Sequence, residues 1–335
     1  MKKIHLILGI LLLFLFSCQK QENLANETEK AAITAKGDPG ICLSAELLEQ
    51  EIAADPGRAN FLADLEEKTM LYEDRVTENA KGPAPVRPPG ILYLPLVIHI
   101  VLTDPATIPD AQIINALQVW NKDYNKLNAE LVNNPSVYLA GYAYNSVANC
   151  QIQFYVSDIV RVPTTVTEFV PGSSAMKSAA TGGSDPVDPA TKLNVWVCNT
   201  GNPCWSQFPG GNLLTDGIVM HYVYFGYNNT TSRIITHETG HWLNLRHIWG
   251  DSQCGNDFVN DTPKHFGPSS GCLGVGAKST CPGKPLIMWM NYMDYSHGAC
   301  YYMFTDGQKQ RMDATILNAR QAYFSTTKIY PDMLP

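Results

Sequence analysis

Three of the eight histidines in this chain fall within eleven residues, in the stretch THETGHWLNLRHIWGD from Thr236 to Asp251. His237 and His241 stand at i and i+4, so on a helix they share one face and can grip a single metal ion. Glu238 follows His237 and is rotated by about 100° around an ideal helix axis. That places a carboxylate near the open side of the ion, where it can move protons. His247 lies six residues past His241, too far round an unbroken helix to join them. The chain must therefore stop the helix and turn back, and Asn244, tolerant of the left-handed region, stands where the turn is needed. Three imidazoles and one open position make a zinc site of the catalytic kind.

The first five residues of this pattern are the H-E-x-x-H signature of zinc peptidases, with histidines on the metal and glutamate as general base. The longer spacing resembles H-E-x-x-H-x-x-G-x-x-H, the metzincin signature, with Asn244 in place of the glycine. A second stretch, NYMDYSHGAC from Asn291 to Cys300, supplies Met293 and Tyr295. A methionine can floor three imidazoles without competing for the metal. A tyrosine hydroxyl close to zinc can donate to the oxyanion of an acyl-transfer intermediate.

These residues need a rigid frame, and the rest of the chain offers one. The chain has 335 residues, 45% apolar and 16% charged, with net charge −7. That describes a folded protein with a sizeable core. No basic cluster offers a stripe for phosphates, so nucleic acid is not an expected partner. At the N-terminus, MKK precedes a thirteen-residue apolar run too short to anchor in a bilayer. LFSC then resembles a bacterial lipobox, which makes residues 1–17 a lipoprotein-type signal peptide and Cys18 the lipidated residue. The expected location is the bacterial outer membrane or cell surface, or release as a secreted enzyme, with the lipid as the only membrane contact.

Residues 18–89 read as a tether and a pro-segment. Helical, acidic sequence from Leu43 to Arg75 is broken at Asp55-Pro56-Gly57. The proline-rich NAKGPAPVRPPG follows as an exposed, cleavable linker carrying Lys81 and Arg87. Residues 90–335 form the catalytic domain, opening with the apolar strand ILYLPLVIHIVLT. A helix with Ile113, Leu117, Trp120 and Tyr124 on one face backs it. CQIQFYVSDI, KLNVWVC and GNLLTDGIVMHYVYFG give further strands ahead of the zinc helix. Thr305 and Gln308 form a capping box opening a helix expected to reach about Phe324. Strands and helices before the zinc helix, and mostly loops after it, make an α+β domain split at a cleft. Export makes disulfides expected, and Cys254, Cys272, Cys281 and Cys300 cluster in the loop-rich part. Four cysteines allow three pairings. The pairing of Cys150, Cys198 and Cys204 stays open.

THETGHWLNLRHIWGD, CGNDFVNDTP, NYMDYSHGAC and FTDGQKQRM together resemble the pappalysin family of metzincin peptidases, over roughly residues 90–325. The resemblance implies a metzincin-like fold. Its N-terminal subdomain has a mixed twisted sheet with the active-site helix, and its disulfide-stapled C-terminal subdomain begins near residue 244. It implies a zinc endopeptidase acting on proteins or peptides, with His237, His241 and His247 as ligands, Glu238 as base and Tyr295 assisting. It also implies disulfides Cys254–Cys281 and Cys272–Cys300, and calcium in the loop after the third histidine. Asp251, Asp257, Asp261 and Thr262 there are hard oxygen donors suited to calcium.

Two positions depart from the family. Relatives that prefer lysine or arginine carry an acidic residue just before the Ala-Cys of the Met293 segment. This chain has Gly298, preceded by His297, and so lacks the carboxylate that would select a basic side chain. Family zymogens also place a pro-segment cysteine on the zinc, and Cys42 in GDPGICLS is the candidate, on flanks unlike the usual motif. The rival reading is a surface-displayed binding lipoprotein with a structural zinc, in which Glu238 would have no task.

Overall fold

The computed structural model describes residues 42–78, 87–128, 131, 133, 141–228 and 233–334. The signal peptide, Cys18, the tether and Lys81 lie outside the described residues.

The frame is a five-stranded sheet in the order β2-β1-β3-β5-β4. Its strands are β1 (Leu92–Leu102), β2 (Ile152–Pro163), β3 (Leu193–Cys198), β4 (Trp205–Ser206) and β5 (Ile218–His221). All neighbours are parallel except β4, which pairs antiparallel with β5 at the sheet's edge. The apolar run expected as a strand is β1, and it is buried along nearly its whole length. That is what an inner strand of a covered parallel sheet requires.

Alternation divides its side chains. Leu94, Leu96, Ile98 and Ile100 enter the main core with Trp120 and Tyr124 of α3 (Asp110–Tyr124) and Ile235 and Trp242 of α4 (Ile234–Trp242). Val101 packs oppositely, with Trp196, Val219, Phe169 and Met176. Each such side chain stabilises the fold by about 1.5–3 kcal/mol. His99 is a packed histidine, bonded to Ser184 and Asn194 and stacked on Trp196.

The stretch read as a pro-segment forms α1 (Ser44–Ala54) and α2 (Pro56–Glu78). The break falls at Asp55, whose carboxylate accepts from Gly57 N–H, with Pro56 opening the next helix. Helix α2 lies against α5 (Asp306–Ala319), and Glu66 there clasps Arg311 through both guanidinium nitrogens, at 2.9 and 2.5 Å.

Two expectations need correction. Arg87 is not an exposed cleavage site. Its guanidinium is buried and bonds Asp313 at 2.8 Å and the carbonyls of Cys150 and Gln151. The last helix opens on the Thr305–Gln308 capping box but ends at Ala319, and a short 3-10 turn covers Gln321–Tyr323. Arg320 is drawn inward to Asp216 instead of continuing the helix.

Candidate active site

Helix α4 carries His237, Glu238 and His241, all buried. It stops as the spacing demands: Asn244 takes φ +71°, its N–H reaches His241 O, and Leu245 N–H reaches Gly240 O. This is a Schellman turn. Arg311 Nε fixes it from outside by donating to Asn244 O at 2.8 Å. The reversal returns His247 to the other two rings, with its Nε2 3.1 Å from His241 Nε2; His237 Nε2 is also 3.1 Å from His241 Nε2.

The partners of the far ring nitrogens decide the protonation. His237 Nδ1 faces Tyr292 O at 2.6 Å, His241 Nδ1 faces Leu245 O at 2.8 Å, and His247 Nδ1 faces Asp251 Oδ1 at 2.5 Å. Carbonyl and carboxylate oxygens only accept, so each Nδ1 carries the proton and donates. In the neutral tautomer this fixes, the Nε2 lone pairs point at one another. Burial, followed by the neighbouring His247, pulls the His237 ring down to about 3, which keeps it neutral. Three lone pairs facing one another at these distances repel unless a cation sits between them. The donor set fits zinc.

Asp251, placed with the calcium donors by sequence, instead orients the third imidazole. Its signal was local, four residues past His247. Trp249 stacks on the same ring, with centroids 4.3 Å apart. Beneath the site lies Met293, buried against the helix at Gly240. A Cβ at Gly240 would come within 2.4 Å of the Met293 sulfur, so glycine there lets the thioether sit against the helix without shifting.

Glu238 is wholly buried. Desolvation, the largest effect, raises its carboxyl to about 8 against lowering hydrogen bonds from Ser44 and Cys42. Its Oε2 accepts from Ser44 Oγ at 2.9 Å and from Cys42 Sγ at 3.7 Å, while Oε1 has no hydrogen-bond partner. Tyr295, packed on His247 and Trp249, donates its hydroxyl to Cys42 O at 3.3 Å.

The pro-segment thus enters the site. Cys42 bridges in parallel with Cys204, Leu43 N–H donates to Cys204 O at 3.0 Å, and Ser206 N–H donates to Ser44 Oγ at 2.9 Å. Cys42 Sγ and one ring nitrogen from each of His237, His241 and His247 all lie within 4.8 Å of one another. Further along, Arg58 reaches the carbonyls of Phe208 and Pro209, and Phe61 rests on Gly210, where a Cβ would meet its ring at 2.2 Å. The rim SQFPGG is where this helical stretch seats.

The peptidase M43 family model, described as pregnancy-associated plasma protein-A, matches residues 188–317. Promirolysin of Tannerella forsythia is 31% identical, with a TM-score of 0.72 over 84% of this chain and 96% of its own. The chain belongs to the pappalysin family. This pappalysin also resembles mature mirolysin in complex with a cleaved peptide, at 33% identity and a TM-score of 0.63, over 71% of this chain and all of that one. An extracellular metalloprotease of Neurospora crassa is 36% identical over 129 residues, 38% of this chain; the match spans only 40% of the fungal protein.

Around the site, the pappalysin has the disulfides Cys254–Cys281 and Cys272–Cys300. Cys42, Cys150, Cys198 and Cys204 are buried free thiols. His297 accepts from Ala299 N–H, and Gly298 O accepts from Arg233 at 3.3 Å. Arg233 in turn lies 3.4 Å from Asp123, so a cation rather than a carboxylate backs this segment. In the loop after the third histidine, the candidate calcium donors also bond within the chain. Thr262 donates to Asp257 at 2.6 Å, and Asp261 accepts from Thr305 and Gly307 at the start of α5.

Proposed function

We propose that this pappalysin is an exported zinc endopeptidase made as a zymogen, and that it hydrolyses peptide bonds of protein substrates. One observation carries the reading. Three imidazole lone pairs converge beside a buried carboxylate whose Oε1 is left without a partner. His237, His241 and His247 would hold zinc, which supplies Lewis acidity, polarising the scissile carbonyl and lowering the pKa of water. Glu238 takes a proton from the attacking water and delivers it to the leaving amine. Tyr295, once Cys42 has left, donates its hydroxyl to the developing oxyanion. An extended substrate pairs with the outer edge of β4, where Cys42–Ser44 now lies. Gly298 and His297 border the specificity pocket. A lipid on Cys18 and calcium on Asp257, Asp261 and Thr262 complete the proposal; both rest on sequence resemblance and donor chemistry.

The test is casein hydrolysis by the zinc-loaded full chain after pro-segment removal. A strong chelator abolishes cleavage and added zinc restores it. Stoichiometric zinc binding with casein and a peptide library left intact would turn the reading to the structural-zinc binding lipoprotein.

Latency follows from the same geometry. The Cys42 thiol would complete the zinc sphere while Ser44 occupies the general base. Cys42→Ala removes the sulfur, and loss of the pro-segment in zinc should then run at least tenfold faster. Ser44→Ala frees only Glu238 and should give a smaller acceleration. Gel time courses of the full chain check both, and unchanged rates in Cys42→Ala would refute the switch.

A further inference from the structure

We propose that Lys177 forms a subsite for an acidic substrate side chain, opening from the cleft beside β4. The proposal rests on the peptidase reading and names a substrate feature that reading leaves open.

A cavity of about 350 Å³ lies between the pro-segment and the upper rim. One wall is α1, through Ser44, Leu47 and Glu51; the other is catalytic-domain sequence, including Lys177, Ser206 and Thr215. Ser44 and Ser206 bond each other and line the cavity, and Ser44 also donates to Glu238, so one residue separates the cavity from the catalytic carboxylate. A chain lying along β4 and presenting a bond to Glu238 must pass its mouth.

Lys177 is an unusual wall for an enclosed space. It is only 6% exposed, and its stem packs so that Nζ lies 5.1 Å from the Trp196 ring centroid. The ammonium carries three N–H donors, and its hydrogen bond goes to Thr215 O at 2.5 Å. Burial pulls it down to about 8, so it remains charged at neutral pH. Two carboxylates act on it, Asp216 and Glu51, and both are otherwise engaged. Asp216 pairs with Arg320 at 2.6 Å, and Glu51 pairs with Arg58 at 2.9 Å. Three cations thus share two anions. When the pro-segment leaves, Arg58 and Glu51 go together, and Lys177 with Arg320 faces Asp216 alone. The excess of one positive charge survives on the remaining wall, which α1 no longer covers and which faces the cleft. A carboxylate that meets this ammonium makes charge-assisted hydrogen bonds of the strong kind. Gln207, Ser173 and Ser174 line the same space and add neutral polar partners.

The experiment profiles the processed enzyme, prepared from the zinc-loaded full chain, on a proteome-derived peptide library varied on both sides of the cut. Wild type should enrich Asp and Glu several-fold at one position. Lys177→Met should erase that enrichment and lower kcat/KM on the matching acidic peptide about tenfold, through KM. The same peptide with Asn or Gln should change less than twofold, which also reports that the variant folds. Lys177→Arg should keep the preference, and it decides the matter if Lys177→Met fails to fold. A wild-type profile without acidic enrichment overturns the proposal, as does equal loss on acidic and neutral peptides. No cleavage of any peptide by wild type would instead sink the peptidase reading itself.

Discussion

Glu238→Gln lowers kcat by roughly 10²–10⁴-fold, the range for loss of a general acid–base. The amide keeps the shape and the hydrogen bond that Oε2 accepts from Ser44 at 2.9 Å, so the pro-segment still seats. It cannot carry the proton from water to amine. The variant should accumulate as the uncleaved chain, with zinc content and thermal midpoint unchanged, and after pro-segment removal by wild-type enzyme in trans it should cleave peptides barely above background. Steady-state kinetics beside metal analysis decides it. A fall of less than tenfold with zinc retained would mean that another group moves the proton.

The largest stability effect belongs to Arg320→Met. Arg320 lies behind the site, donating to Trp242 O at 2.7 Å at the end of α4 and to Asp216 at 2.6 and 3.1 Å. Its guanidinium also stacks 3.8 Å over the Trp242 ring. Asp216 receives Trp242 Nε1 and Tyr323 as well, so one carboxylate joins the β5 approach, the zinc helix and the C-terminal turn. Removing the cation leaves that carboxylate buried without its counterion, at a cost of about 3–5 kcal/mol. Urea unfolding should shift accordingly, and Asp216→Asn added to Arg320→Met should recover a good part of the loss. If the single variant loses under about 1 kcal/mol, buried pairing is not what holds this junction.

The parts legible in the sequence are those set by neighbours in the chain. The i, i+4 histidines, the left-handed Asn244, the helix break at Asp55-Pro56 and the capping box at Thr305 are local devices. They appear in the structure where they were expected. β1, β2, β3 and β5 were legible from apolar runs, whereas the two-residue β4 is too short to give one. What sequence could not give is contact across long separations. Ser44 meets Glu238 across 194 residues, Arg87 meets Asp313 across 226, and Glu66 meets Arg311 across 245. An arginine in a proline-rich stretch reads as exposed until a buried aspartate far along the chain claims it. Asp251 was misread because an acidic loop has two uses, and only the ring orientation of His247 chooses between them.

The unbridged cysteines imply an order of events wherever the two disulfides form. Burial raises Cys150 and Cys198 to about 12, and it raises Cys204 as well. Almost no thiolate is then available to attack an oxidant or a neighbouring bridge. That shelter exists only after the chain has closed around them. While the polypeptide is still emerging, these sulfurs compete with Cys254, Cys272, Cys281 and Cys300 for partners, so rapid collapse of the sheet decides whether the two correct crosslinks form or a scrambled product is locked in.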